Sequence, residues 1–447
     1  MTDLTRAIVR RTRPIAHATL PAETRALAVQ CMQDAIAVAM AGAEDDLVRI
    51  LRAELEEAGG TKQASVWGSD LRLPAGAAAL LNGTMAHALD YDDVNLAMPG
   101  HPTVAILPAV MALGEARGAT GAEVMAAFVA GYETACRIGR VMAPGHYDVV
   151  GFHATGTVGT FGAAAGCAHL LGLDEEQTLH AIGIAATQAA GLKSMFGTMC
   201  KPLHAGKAAQ NGLLAAKLAA RGFTARPDSL ECLQGFARTH SPDFHPEAAL
   251  EDPEGGFHIR ANLFKYHAAC YLTHAGIEAA RMLRDRPGVA ADQIAAITLR
   301  VDESTDRVCN IAAPRTGLEA KFSHRLTAAM ALAGLETSRL DCFTAEVASD
   351  PRITALRDKV SVELLPRFGQ THAIMDIRLV DQTTLSAEHD AGIPAPDVAH
   401  QGTRIRAKFD GLAAAALGPA RAAALGDAIA AIDTAPTVTT FAPLWAA

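Results

Sequence analysis

From about residue 23 to 225, apolar positions recur at helical spacing. ETRALAVQCMQDAIAVAMAG, DDLVRILRAELEEAG, PAGAAALLNGTMAHALD, TVAILPAVMALGEARG and GAEVMAAFVAGYETACRIGRVM follow one another, most of them closed by glycine or by a glycine or proline turn. Thr120 ahead of GAEVMAAF and Asp174 ahead of EEQTLHAIG are residue types that cap helix starts. Near residue 290 the period changes from helical to two. AADQIAAITLRVDEST alternates Ile297, Leu299 and Val301 with polar residues, and VSVELL (360–365) and AIMDIRLVDQTTLSAEHD (373–390) repeat the half-buried strand pattern. SHRLTAAMALAGLE and TSRLDCFTAEVASDPRITALRDKV read as helices between them, and TRIRAKFDGLAAAALGPARAAALGDAIAAI returns to helix. The expected architecture is mainly α: a large all-helical domain built from both chain ends, residues 1–265 and 406–447, and a smaller α+β domain over 266–405.

Composition narrows the partners. The chain has 447 residues, half of them hydrophobic and only 5% aromatic, which suits close packing of alanine- and leucine-rich helices. A formal charge of −9, with no basic run interleaved with aromatics, argues against a nucleic-acid surface. No uninterrupted apolar run approaches the ~18 residues of a membrane span, and MTDLTRAIVRRTRPIAHATL lacks the apolar core and cleavage site of a secretory signal, so a cytoplasmic location is expected. Eight dispersed cysteines form no CxxC pair, and reduced thiols packed as small hydrophobes are the plain reading.

Four stretches mix titratable residues with glycine or proline: HALDYDDVNLAMPGHPT (87–103), GHYDVVGFHATGTVGTFGAAAG (145–166), GTMCKPLHAGKAAQNG (197–212) and PRTGLEAKFSHR (314–325). NLFKYHAAC (262–270) is a weaker fifth. On a continued helix His87, Asp90 and Asp93 would share a face; the alternatives are a capping or salt-bridged helix end, or a metal face lacking any HExxH-like pattern. Asp90 and His101 form a possible carboxylate–imidazole pair for proton transfer, and Tyr147 with His153 a second acid/base pair. The ATGTVGTFGAAAG run lacks GxGxxG spacing, so close helix contact is preferred over nucleotide binding. Lys201, His204 and Lys207 sit three apart in apolar sequence, where a lysine needs either solvent or an anion.

Taken together and in this order, HALDYDD with GHPT, GHY with GFHATGTVGTFGAAAG, KPLHAGKAAQNG and GLEAKFS resemble the MmgE/PrpD family over roughly residues 5 to 440. That family includes 2-methylcitrate dehydratases, cis-aconitate decarboxylases and iminodisuccinate epimerase. The resemblance implies an all-helical domain with an α+β lid, usually in a homodimer. It also implies a small di- or tricarboxylate substrate, and proton transfer at carbon beside a carboxylate with no metal or organic cofactor. By position, Asp90, His101, His153, Lys201 and Lys265 resemble the decarboxylase pocket residues, and Tyr147 the acid/base tyrosine of the epimerase. His204 and Lys207 would support Lys201, and His324 and Arg325 would read the substrate at the lid boundary. Val94 stands where decarboxylases carry threonine, and His324, Arg325 and Leu326 follow KFS where they place a tyrosine. The expectation is therefore a dehydratase-type lyase first, a dicarboxylate epimerase second, and a decarboxylase or a non-catalytic carboxylate binder after these.

Overall fold

A computed structural model describes residues 3–446. The chain divides into two compact units, Met1–Phe264 with Ala395–Ala447, and Lys265–Pro394. The first unit is helical. Its principal helices are α1 (Ala22–Gly42), α2 (Ala75–Ala88), α3 (Pro102–Arg117), α4 (Gly121–Met142), α5 (Ala154–Leu170) and α6 (Cys200–Ala220), and the helix Val398–Leu417 packs back on α1. Thr120 and Asp174 both open capping boxes, with Glu123 and Gln177 returning the bond to the cap backbone. Asp397 accepts from the backbone N–H of His400, so the helix Val398–Leu417 starts ahead of the TRIRAKFDGL stretch that suggested it.

Small residues let these helices touch backbone to backbone. A Cβ on Gly206 of α6 would stand 2.1 Å from the Leu80 carbonyl oxygen of α2, and one on Gly83 would stand 2.9 Å from Gly206 Cα. A Cβ on Gly156 of α5 would meet Ala190 O at 2.5 Å and His204 Cβ at 3.0 Å. The glycine-rich run after His153 is therefore a helix-contact surface, and it sets how near α5 and α6 bring their first turns. Among the described residues, no single helix is long and apolar enough to cross a membrane.

The second unit carries a four-stranded mixed sheet of β1 (Ile294–Asp302), β2 (Val360–Leu365), β3 (His372–Leu379) and β4 (Thr384–Asp390), in the order β2-β1-β3-β4. β1 runs parallel to β2 and antiparallel to β3, placing Ile297 beside Val360 and Ile377. Ile297, Leu299 and Val301 are buried as their alternation requires. The helices His274–Arg284 and His324–Leu332 pack with the sheet within this unit. Asp350 caps the helix that begins at Pro351, which breaks the 337–360 stretch into short pieces where the sequence reads as helix.

Candidate active site

The HALDYDD stretch does not continue as a helix. α2 ends at Ala88, and Asp90 takes the left-handed backbone conformation with φ +50°, an uncommon state for a non-glycine residue that tends to mark functional turns. The turn cancels the face expected to join His87, Asp90 and Asp93. Asp92 is the residue brought to the histidines: its Oδ1 lies 2.9 Å from His87 Nδ1, and its Oδ2 lies 3.0 Å from His101 Nδ1. Asp93 points elsewhere, accepting a hydrogen bond from the Thr103 hydroxyl beside Cys31.

Asp90 serves the other side of His101. Its Oδ1 is 3.7 Å from His101 Nε2 and 2.7 Å from Lys201 Nζ. The carboxylate that faces the imidazole Nδ1 is thus Asp92, two residues beyond the one that sequence spacing suggests. Lys201 meets an anion from its own chain, and its ammonium also lies 5.4 Å from the Phe196 ring centroid. His153 Nδ1 is 3.1 Å from His204 Nδ1, and Phe196 meets the His153 ring edge-on. His87 bridges the two halves, with its ring centroid 4.6 Å from that of His101 and 5.6 Å from that of His153.

Three helix starts converge on this group. His101 is the N-cap of α3, His153 is the N-cap of α5, and Lys201 is the second residue of α6. Pro102 fixes the first turn of α3, and the His101 backbone N–H donates to Thr155 Oγ1 at 3.1 Å, tying α3 to α5. A helix N-terminus carries roughly half a positive charge, so it favours anions and disfavours a lysine. Lys201 occupies such a position because Asp90 offsets it.

The environments of Asp92 and Asp93 push their acidities apart. Burial raises Asp92, but the imidazoles of His101 and His87 more than offset that and hold it well below the usual carboxylate range. Burial, then the nearby Asp34 carboxylate, pushes Asp93 up to about 8, so Asp92 is ionised and Asp93 protonated at neutral pH. Burial holds His87 down at about 4 against the pull of Asp92. Burial, then the neighbouring cations and imidazoles, places His153 well below its ordinary value, and burial, then Lys201, lowers His204.

His87, Asp90, Asp92 and His101 each bring one ligand-type atom within 4.8 Å of the others, the spacing of a cation site. His87 Nδ1 bonds Asp92, His101 Nδ1 lies within ion-pair distance of the same carboxylate, and Lys201 sits on Asp90, so these groups are met by one another. The other expected residues are placed within their own units. Lys207 is exposed on α6 and donates to Gln210 Oε1 at 2.6 Å. Lys193 donates to the Tyr147 carbonyl oxygen at 3.0 Å, and its ammonium lies 3.7 Å from the Tyr147 ring centroid. Lys265, His324 and Arg325 belong to the second unit. There Lys265 is buried, His324 Nε2 is 3.1 Å from Thr305 Oγ1, and Arg325 bonds the Asn310 side chain. Asp92 and Phe196 lie outside the residues expected from the sequence; the doubled aspartate in DYDD is the available signal for the first.

Residues 7–249 match the MmgE/PrpD N-terminal domain, and residues 267–434 match the MmgE/PrpD C-terminal domain. The chain is 30% identical over 348 residues to a Mus musculus protein named cis-aconitate decarboxylase, covering 73% of this chain and 70% of that one. The Homo sapiens protein of the same name gives 30% over 349 residues, with the same coverage. An Aspergillus terreus cis-aconitate decarboxylase is 33% identical over 223 residues, which is 47% of this chain and 46% of the relative.

Proposed function

The chain belongs to the MmgE/PrpD family, and from that premise we propose that it is an enzyme acting on a small di- or tricarboxylate by proton transfer at carbon beside a carboxylate. The observation that carries this reading is the convergence of three helix N-termini and Lys201 on His101, an imidazole with a buried carboxylate behind it. A proton beside a carboxylate is very weakly acidic, and its removal leaves an enediolate-like dianion. Fixed donors and an ammonium in a site with little water are what stabilise such a charge.

In this reading a substrate carboxylate takes Lys201 in competition with Asp90, and His101 Nε2 receives the proton. Asp92 then faces the resulting imidazolium. Dehydration follows when the β-hydroxyl leaves with a proton from the Lys201 ammonium: the C–H and C–O bonds break, a C=C bond forms, and water is released. Lys201 is regenerated by the proton that His101 carries. Tyr147, Lys265, His324 and Arg325 remain substrate contacts that we propose from the resemblance alone, whereas exposed Lys207 is left with a supporting role. The absence of a hydroxyl at Val94, where the resemblance places threonine in decarboxylases, favours dehydration over decarboxylation. Decarboxylation is the second reading, favoured by the names of the relatives. A homodimer is the assembly we propose from the resemblance.

The test is a panel of 2-methylcitrate, citrate, cis-aconitate and a chiral amino- or iminodicarboxylate in deuterated water, followed by proton NMR, polarimetry and carbon dioxide release. New alkene without carbon dioxide supports dehydration. Carbon dioxide release supports the second reading. Exchange with loss of rotation reassigns the site to epimerisation, and no change in any acid refutes the carboxylate reading.

A further inference from the structure

Asp92 has no surface to serve, because its side chain is fully buried and the two groups that meet it are imidazoles. An ionised carboxylate accepts hydrogen bonds and donates none, so the His87 Nδ1 that bonds it is held as N–H. His101 Nδ1 lies 3.0 Å from Oδ2 without hydrogen-bond alignment, and there a lone pair would face the carboxylate's negative charge, which favours N–H on that nitrogen as well. That fixes the tautomer of both rings at once and leaves both Nε2 atoms as lone pairs. His101 Nε2 then faces the side of the site that holds Asp90 and Lys201. His87 Nε2 is fully buried and has no hydrogen-bond partner among the described residues.

We propose that Asp92 is the positioning residue of this site: one carboxylate locks His87 and His101 as their Nδ1–H tautomers, so that His101 presents a basic Nε2 and His87 serves as the brace that keeps the carboxylate aimed. The inference rests on the proposed proton-transfer function for its purpose, but its geometry stands without it. The two rings divide the work. A single carboxylate stabilises one imidazolium, and deep burial keeps His87 the neutral member, so a proton arriving at the pair resides on His101. His87 also fills the space between His101 and His153, its ring stacked on the latter at an interplanar angle of 20°. Asp92 reaches the two rings after the helix has ended at Ala88 and the backbone has taken a left-handed conformation at Asp90.

The decisive experiment needs no substrate. Histidine ring nitrogens are labelled with 15N in the full-length protein, and the signals of the two rings are assigned with His87→Gln and His101→Gln variants. Long-range proton–nitrogen NMR then reports each tautomer. The expected result is Nδ1–H for both rings in the wild type and loss of that fixed tautomer at His101 in Asp92→Asn. Asp92→Glu, which keeps the carboxylate, retains it. An Nε2–H tautomer at His101 in the wild type, or an unchanged tautomer in Asp92→Asn, overturns the proposal. If Asp92→Asn fails to fold, the wild-type tautomers and Asp92→Glu still decide. On any acid that the wild type turns over, kcat of Asp92→Asn falls on the order of 10²-fold while KM stays within about threefold, as expected for a group acting through the base. A panel without turnover counts against the proposed function alone and leaves the tautomer reading intact.

Discussion

Two lysine–aspartate pairs in the helical unit share a separation of 2.7 Å and differ in almost everything else. Lys408 and Asp34 have side chains 5% and 1% exposed, and Lys408 also donates to the Tyr91 carbonyl oxygen and lies 3.7 Å from that ring's centroid. Lys201 and Asp90 are 15% and 33% exposed, stand at a helix start and a left-handed turn, and are ringed by imidazoles. The first pair joins the helix Val398–Leu417 to α1 deep in the core. The second is held where an incoming anion can compete for it. A short ion pair by itself therefore says nothing about function; what separates the two is access, and the proton-carrying groups gathered around one of them.

That contrast can be broken by exchanging the phenotypes. Lys201→Met is expected to lower turnover on the order of 10²–10³-fold with little change in thermal midpoint, because Asp90 can turn to solvent. Lys408→Met is expected to do the reverse: removing one partner of a buried ion pair costs about 3–5 kcal/mol, read as a fall of several degrees in Tm. Next in size is Gly206→Ala, whose methyl has no room between α2 and α6; overpacking costs about 1–3 kcal/mol and also displaces Lys201, so Tm and kcat fall together.

Asp93 sharpens the comparison through pH. Its carboxyl is raised from the ordinary 3.8 to about 8, so the folded chain keeps a proton that the unfolded chain gives up. Stability contributed by that proton is therefore lost as pH climbs from about 4 to about 8. Asp93→Asn removes the effect, and its Tm declines less than wild type between pH 5 and 8. His87, lowered to about 4, works in the opposite direction, costing stability as pH falls below its unfolded value, and it is common to both proteins. The smallest effect belongs to Lys207→Ala, an exposed site where both rate and Tm stay at wild-type values.

Periodicity and capping chemistry were enough to find the helices of the first unit and the alternating strands of the second, because both signals are local. Thr120, Asp174 and the run Ile297, Leu299, Val301 are examples. The four motif stretches also carried most of the clustered residues. What the sequence could not supply was the backbone state of Asp90. Helical spacing there pairs His87 with Asp90 and Asp93, whereas one left-handed residue turns Asp92 inward and Asp93 toward Thr103. Pairings across long separations were equally hidden. His153 with His204 and Lys201 with Asp90 depend on how closely glycines let α2, α5 and α6 approach, and Lys408 with Asp34 spans nearly the whole chain.

The most direct test of the central claim is deuterium uptake at carbon, measured by proton NMR on wild type, Lys201→Met and Lys408→Met side by side, with the acid from the panel that the wild type turns over. The account predicts exchange or elimination by the wild type. It predicts loss of that signal in Lys201→Met with an unchanged Tm, and its retention in whatever fraction of Lys408→Met stays folded. Wild-type rates in a folded Lys201→Met protein would contradict it.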